Sequence, residues 1–345
     1  MLIILLQNLK PMKRQGQLLE KIADLNNLYE AFYKAQKGTV NKPCVCAYRE
    51  RLQANLRTLR VQISSGSVET GNYRYFTIYD PKKRLICATP FPQRVLHHAV
   101  MNVCHASFEK HQIAESFASR PGKGTYAALD KAREYNRQYR WFLKLDVRKY
   151  FESVGHAVLK KQLDRLFKDQ GVLLIFDKII DSYSTGENKS VPIGNLTSQY
   201  FANHYLSVAD HYVKETLRVT GYVRYMDDMV LWHNDKESLL DTGYRFRDFL
   251  EKELDLQLKP FCLNATTKGL PFLGYRLFSD RVWLSPRSKK RFIDTSRLHA
   301  CNLQTGLWTQ GEYRNHAMAL VAFTEYANAR EFRKNVYSKL FACEE

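Results

Sequence analysis

The sequence predicts an α+β fold, on three observations. Strand-like and helix-like patterns alternate irregularly along the 345 residues, which argues against a doubly wound parallel sheet. Two stretches read as antiparallel hairpins, one over Tyr73–Cys87 and one over Tyr222–Trp232. From Pro286 to Phe341 the pattern is helical throughout. At roughly 150 residues per domain the length suits two or three structural units, and no repeat or low-complexity linker parts them.

The opening run Met1–Leu6 is apolar but too short to span a bilayer, and it lacks both a basic region before it and a small-residue cleavage site after it. No leader or anchor is expected, and Met12 is an alternative start. Leu19, Ile22, Leu25, Leu28, Tyr29 and Phe32 recur at helical spacing and predict one helix over Gly16–Lys37; a second is predicted over Tyr48–Gln62. Tyr73–Tyr79 and Arg84–Cys87 flank the turn signal Asp80-Pro81, with Lys82, Lys83 and Arg84 beside it. Helices over Gln93–Glu109 and Thr125–Gln138 follow, parted by the glycine-broken Ser119-Arg120-Pro121-Gly122-Lys123-Gly124.

Trp141–Asp146 reads as a short apolar strand ending in a carboxylate. Helices are predicted over Gly155–Phe167 and Val172–Ser182, then a polar loop to Val191-Pro192-Ile193-Gly194 and an amphipathic helix over Leu196–Leu217. Tyr222–Tyr225 and Met229–Trp232 flank Asp227-Asp228, a tight hairpin with two acids at its tip. A helix over Lys236–Leu254 and a last hairpin around Phe272-Leu273-Gly274-Tyr275 precede the C-terminal helices.

Charge narrows the partner. The chain carries 53 Lys+Arg against 35 Asp+Glu, a net +18, yet its 45% hydrophobic and 13% aromatic content excludes a disordered polycation. A folded body this basic faces a polyanion. The basic residues cluster in a hairpin, a glycine loop and the C-terminal helices without an amphipathic anchor, so nucleic acid is expected and a membrane is not. Seven cysteines, an odd count with no C-x-x-C pair, argue against a disulfide framework or a zinc ribbon and for a reducing, cytoplasmic setting. The ten histidines form no H-E-x-x-H or similar metal spacing, and His97-His98 is read as a helix pair without chemistry.

The chemistry sits in the acids. Two adjacent carboxylates at a hairpin tip repel each other unless cations neutralise them, and hard oxygen ligands suit Mg²⁺. A Y-x-D-D match alone arises by chance in about one chain in twenty of this length. The order of features is what gives it weight: basic hairpin, Arg-Pro-Gly-Lys-Gly loop, strand Asp146, a glycine before a long helix, then the double-Asp hairpin. Phosphoryl transfer assisted by two metal ions is the reaction this pattern points to.

With those residues in place, the chain from about Asn27 onward resembles a reverse transcriptase. Phe142-Leu143-Lys144-Leu145-Asp146-Val147-Arg148-Lys149-Tyr150-Phe151 resembles the first catalytic motif of the palm, Tyr225-Met226-Asp227-Asp228 the second, and Phe272-Leu273-Gly274-Tyr275 the primer-grip hairpin. The resemblance implies a right-hand polymerase with fingers, a palm of antiparallel sheet plus helices, and a helical thumb. It implies an N-terminal helical extension at 1–70, fingers at 71–140, palm at 141–284 with inserted helices and loop at about 155–192, and thumb at 285–345. Asp146, Asp227 and Asp228 are implied as catalytic and, with Val147, as the binding site of two Mg²⁺ ions. Lys83, Arg84, Arg120 and Lys123 match positions that hold the incoming triphosphate, where Arg offers bidentate geometry and Lys a point charge. Phe151 stands where this family places an aromatic steric gate against a ribose 2′-hydroxyl. Arg287, Lys289, Lys290, Arg291 and Arg297 could follow a template-primer backbone, whereas Trp308, Tyr313, Phe323 and Tyr326 read as helix core.

Ile193-Gly194-Asn195-Leu196-Thr197-Ser198-Gln199 carries the finer likeness. Many reverse transcriptases have Gln before this Gly and Pro after the Ser. The form here, with Ser119–Thr125 upstream, resembles the reverse transcriptases of diversity-generating retroelements, which copy a template RNA with frequent errors at template adenines. Ile193, Gly194 and Gln199 are accordingly expected at the nucleotide, and Ile193 offers it no side-chain hydrogen bond. The implied partners are template RNA, a DNA or RNA primer, dNTPs and a helical accessory variability protein oligomer. A group II intron-like or antiphage-defence enzyme remains an alternative, as does a non-catalytic RNA-binding scaffold. Related enzymes often carry, at the position of Cys262, a Lys placed to protonate pyrophosphate; here Lys259 and Lys268 flank that position, and no residue is assigned as general acid.

Overall fold

Asp24 divides the first predicted helix. Its carboxylate accepts hydrogen bonds from Asn26 N and Asn27 N, an N-cap that ends α1 (Leu19–Ile22) and starts α2 (Leu25–Gln36). The computed structural model describes residues 14, 16–79 and 83–341, so the readings at Met1–Leu6, Met12, Asp80-Pro81, Lys82 and Cys343 fall outside the described residues. Pro43 takes the first turn of α3 (Pro43–Glu50), where its missing N–H costs nothing, and Arg51, at φ −116° and ψ 31°, parts it from α4 (Leu52–Ser65), so the second predicted helix becomes two.

The chain forms two compact units. The first comprises residues up to Arg120, Asp146–Arg218 and Tyr244–Lys259. It holds α1 to α4, the hairpin β1 (Arg74–Tyr79) and β2 (Lys83–Ala88), and α5 (Phe91–His111). Beyond these it contains α7 (Tyr150–Ser153), α8 (His156–Leu166), α9 (Gln170–Asp181) and α10 (Leu196–His211). Leu28, Ala31, Phe32, Val95, Ala99 and Val100 are buried along the α2–α5 contact, and Asn27 Nδ2 bridges Ile22 O and Ala99 O. A second apolar cluster joins Phe108, Phe167, Phe176 and Phe201, with neighbouring ring centroids 5.2–5.5 Å apart. The helix predicted to Leu217 ends earlier, at His211, and continues as a π turn over Tyr212–Thr216.

The second unit comprises Pro121–Leu145, Val219–Gly243 and the chain from Pro260. Its sheet has the order β4-β5-β3-β6, with β3 (Trp141–Asp146) and β5 (Asp228–His233) inside and β4 (Gly221–Tyr225) and β6 (Cys262–Ala265) at the edges. The helix α6 (Thr125–Gln138) packs on it: Trp232 Nε1 donates to Asn136 Oδ1 at 2.8 Å, and Asn136 Nδ2 donates to Leu277 O at 2.9 Å. A three-stranded sheet, β7 (Leu270–Phe272), β8 (Tyr275–Leu277) and β9 (Val282–Leu284), leads into α12 (Pro286–Gln304), α13 (Gln310–Glu325) and α14 (Arg330–Phe341). The helix α11 (Lys236–Leu254) runs from this unit into the first. Helices and antiparallel sheets mix as the α+β class requires. No helix among the described residues is long and apolar enough to cross a membrane.

Candidate active site

The β4–β5 hairpin closes on the pair Tyr225↔Asp228, leaving Met226 and Asp227 as a two-residue turn. Met226 has φ +56°, the left-handed backbone that tight hairpin turns require. Arg224, with no exposed surface, donates from Nη1 to Met226 O at 3.2 Å. Tyr225 is tied to α6 through its hydroxyl, which accepts from Thr125 Oγ1 at 3.2 Å. The sequence thus folds a strained turn and holds it from its own strand.

Asp228 Oδ2 lies 3.0 Å from the Lys144 ammonium. Lys144 also donates to Pro271 O at 3.0 Å and sits 5.8 Å from the Phe272 ring centroid. One lysine of β3 therefore joins the acidic hairpin to the Phe272–Tyr275 hairpin. In that second hairpin Leu273 and Gly274 form the turn, with φ +47° and +89°. Gly274 O accepts from Ser285 N and from Ser288 Oγ, at 3.0 and 2.6 Å. Tyr275 donates to Phe323 O, so the hairpin is fixed to the helices that follow it.

Asp146, the last residue of β3, belongs to the first unit. Lys259 Nζ is 2.6 Å from its Oδ2, and the Lys259 N–H donates to the Asp146 carbonyl at 2.9 Å. Arg148 N donates to Gln257 O and Val147 pairs with Leu258, so residues 257–259 run antiparallel beside 146–148. Asp146 Oδ1 is buried and has no hydrogen-bond partner among the described residues. A carboxylate with one oxygen on an ammonium and one unsatisfied suits a hard divalent cation. Among the described residues no three His, Cys, Asp or Glu side chains gather as a metal-holding group.

Lys149, at φ +44°, turns the chain so that Phe151 follows in α7. Phe151 is half-buried, packs edge-on against Tyr150 at 5.8 Å, and accepts from Val191 N at 2.8 Å through its carbonyl. Ile193 O accepts from Cys87 N of β2 at 2.8 Å. Gly194, at φ +117°, lets these backbones meet: a Cβ there would stand 2.8 Å from Ile86 Cγ2. Gln199 is exposed, and its Oε1 accepts from Ser119 Oγ at 3.2 Å.

Lys83 and Arg84 are exposed on β2, and Lys123 is half-buried in the second unit. Arg120 differs. Its guanidinium is paired with Glu109 at 2.6 Å and donates to Ile113 O and Ser116 O, with a side chain only 8% exposed. That residue anchors its own loop. Arg287, Lys289, Lys290, Arg291 and Arg297 are all exposed along α12. Trp308, Tyr313, Phe323 and Tyr326 are half-buried. Cys262 is exposed, and the Lys268 carbonyl accepts from Arg276 Nε.

Lys144 and Arg224 went unremarked by sequence reasoning, and Lys259 was noted without a role. Lys144 had a signal, since two residues before Asp146 in a strand means the same face. The Lys259 and Arg224 contacts had none.

The family described as reverse transcriptase (RNA-dependent DNA polymerase) matches residues 79–277. The chain belongs to that family. This reverse transcriptase is 21% identical over 344 residues to a COX1/OXI3 intron 2 protein of Saccharomyces cerevisiae, covering 75% of this chain and 38% of the relative. It is 23% identical over 323 residues to protein YkfC of Escherichia coli, covering 78% and 83%. An apo telomerase structure from Candida tropicalis aligns with 11% identity and a TM-score of 0.49, covering 79% of this chain and 61% of that one.

Proposed function

We propose that this chain is an RNA-directed DNA polymerase, a nucleotidyltransferase that copies a template RNA into cDNA. The observation that carries this is the Tyr225-Met226-Asp227-Asp228 hairpin, built with its acids at the tip inside the segment that matches the reverse transcriptase family. Asp146, Asp227 and Asp228, with Val147 beside the first, would hold two Mg²⁺ ions, and the unsatisfied Asp146 Oδ1 supports that assignment. When bound, such ions supply activation of a primer 3′-hydroxyl and charge stabilisation of the leaving pyrophosphate.

The chain's own residues do the positioning. Lys83, Arg84 and Lys123 bind the triphosphate, with Arg120 holding the loop between them through Glu109. Phe151 closes the space of a 2′-hydroxyl and selects dNTPs. Phe272–Tyr275 orients the primer end, and Arg287, Lys289, Lys290 and Arg291 follow the template-primer backbone. Residues 71–140 are read as fingers, 141–284 as palm and 285–345 as thumb. The six described cysteines, all free, fit a reducing cytoplasmic setting.

We further read the enzyme as the diversity-generating type, working with a helical accessory protein. Ile193 and Gln199 support this, because Ile193 presents hydrocarbon where a hydrogen-bonding side chain would help select the base pair. The test is cDNA synthesis with Mg²⁺ and the accessory protein on an adenine-containing RNA. Wild type should misincorporate at adenines and Ile193→Gln should do so less; unchanged error spectra would sink the fidelity role.

A further inference from the structure

We propose that Lys144 and Lys259 are built-in counter-ions of the catalytic carboxylates, occupying Asp228 and Asp146 until a divalent cation displaces each ammonium. The proposal rests on the reading of these acids as metal ligands. It adds that cation binding here is a competition, decided by two lysines that the family pattern does not assign.

Two separate pairs carry it, one in each unit. In the second unit Lys144 Nζ and Asp228 Oδ2 are 3.0 Å apart, with side chains only 21% and 24% exposed. A fully solvated ion pair would be worth little, but this one is partly withdrawn from water and its ammonium is directed by Pro271 O. In the first unit Lys259 Nζ and Asp146 Oδ2 are 2.6 Å apart. Here the backbone fixes the register, because Lys259 N donates to Asp146 O and Arg148 N to Gln257 O. Lys144 is held by Pro271 O as well as by its acid, and the backbone pairing sets Lys259 opposite Asp146.

An ammonium on a carboxylate oxygen blocks that lone pair and repels an incoming dication. The apparent affinity for the cation therefore falls by the fraction of acid left unpaired. In return, carboxylates crowded by sequence at Asp227-Asp228 keep a neutralising charge while the chain folds. Lys144 can give up Asp228 and keep two partners, Pro271 O and the Phe272 face. Displacement would thus leave the 270–277 hairpin attached to β3. Lys259 is 41% exposed and can turn to water.

The experiment is Mn²⁺ titration of the full chain by calorimetry, with thermal melts before and after addition, no nucleotide being present. Lys144→Met and Lys259→Met should each bind Mn²⁺ about tenfold more tightly than wild type, as expected when a competing state is removed. Each should melt lower before Mn²⁺ and recover on addition, whereas Lys144→Arg and Lys259→Arg should stay near wild type. Lys→Gln at either position replaces Met if the Met variant does not fold. Unchanged or weaker Mn²⁺ binding in both neutral variants overturns the proposal. Asp146→Asn and Asp228→Asn separate the two levels: if they leave Mn²⁺ binding intact, the metal-ligand reading itself fails. If they abolish binding while the lysine variants change nothing, only the counter-ion role fails.

Discussion

Arg224 holds Met226. Its Nη1 donates to the Met226 carbonyl at 3.2 Å from a side chain with no exposed surface. Met226 adopts φ +56°, a conformation costly for a residue with a Cβ. The bond spans the turn that presents Asp227. A buried cation inside a strand is thus part of how the acidic tip keeps its shape.

Replacing it should cost both stability and rate. Arg224→Met removes the donor and leaves a main-chain acceptor unsatisfied, a loss of about 1–3 kcal/mol. Urea denaturation reads the first effect. Primer extension at saturating dNTP reads the second, with kcat falling more than KM rises, because the turn carries the acids and not the proposed triphosphate contacts. A variant as stable and active as wild type would mean that Arg224 does not hold the turn.

Salt dependence tests the C-terminal helices. Arg287, Lys289, Lys290 and Arg291 are exposed on the first two turns of α12. If each contacts a phosphate, replacing all four by Ala should flatten the slope of log K against log salt by about 3, at ~0.7–0.9 per contact. Fluorescence anisotropy on an RNA–DNA duplex measures it. Equal slopes in variant and wild type would place the track elsewhere.

Acid should weaken the first unit. Burial lowers His97 and His204 to about 3 and His98 and His111 to about 4, from 6.5. Below pH 6.5 the unfolded chain takes up protons that the folded chain refuses, so stability falls as pH drops toward 4 and is flat above about 7. The fully buried His97 and His204 each account for roughly 1.4 kcal/mol per pH unit within that window, and the partly exposed His98 for less. His204 is fully buried and packs against Phe108 at 5.4 Å, so His204→Phe should melt with a shallower acid slope. The same slope in both proteins would contradict the assignment.

Local signals were legible where local physics decided the outcome. Thr125–Gln138, Trp141–Asp146 and Lys236–Leu254 fold within the bounds their patterns predict. Asp24 was readable as a cap, yet apolar spacing on both sides of it masked the break between α1 and α2. The strands β6 and β9, four and three residues long, are too short for periodicity to reveal. Among the site residues, the acids and the glycine at 194 announced themselves through residue type and spacing. What the sequence could not show was pairing at a distance. Arg120 reads as a phosphate ligand until Glu109 and two carbonyls are seen around it. Lys259 reads as a loop cation until the chain returns 113 residues later to Asp146.

If Asp227 and its neighbours carry RNA-templated DNA synthesis, a single turnover shows it. Incorporation of one labelled dNTP onto a primer annealed to RNA, with Mg²⁺ and with or without the proposed accessory protein, tests this first. Wild type should extend the primer and discriminate against the matching rNTP. Asp227→Ala should fall to background while still folding by circular dichroism, and Phe151→Ala should accept the rNTP. Extension by Asp227→Ala at the wild-type rate, or none by wild type with any primer, template or partner, would contradict the claim.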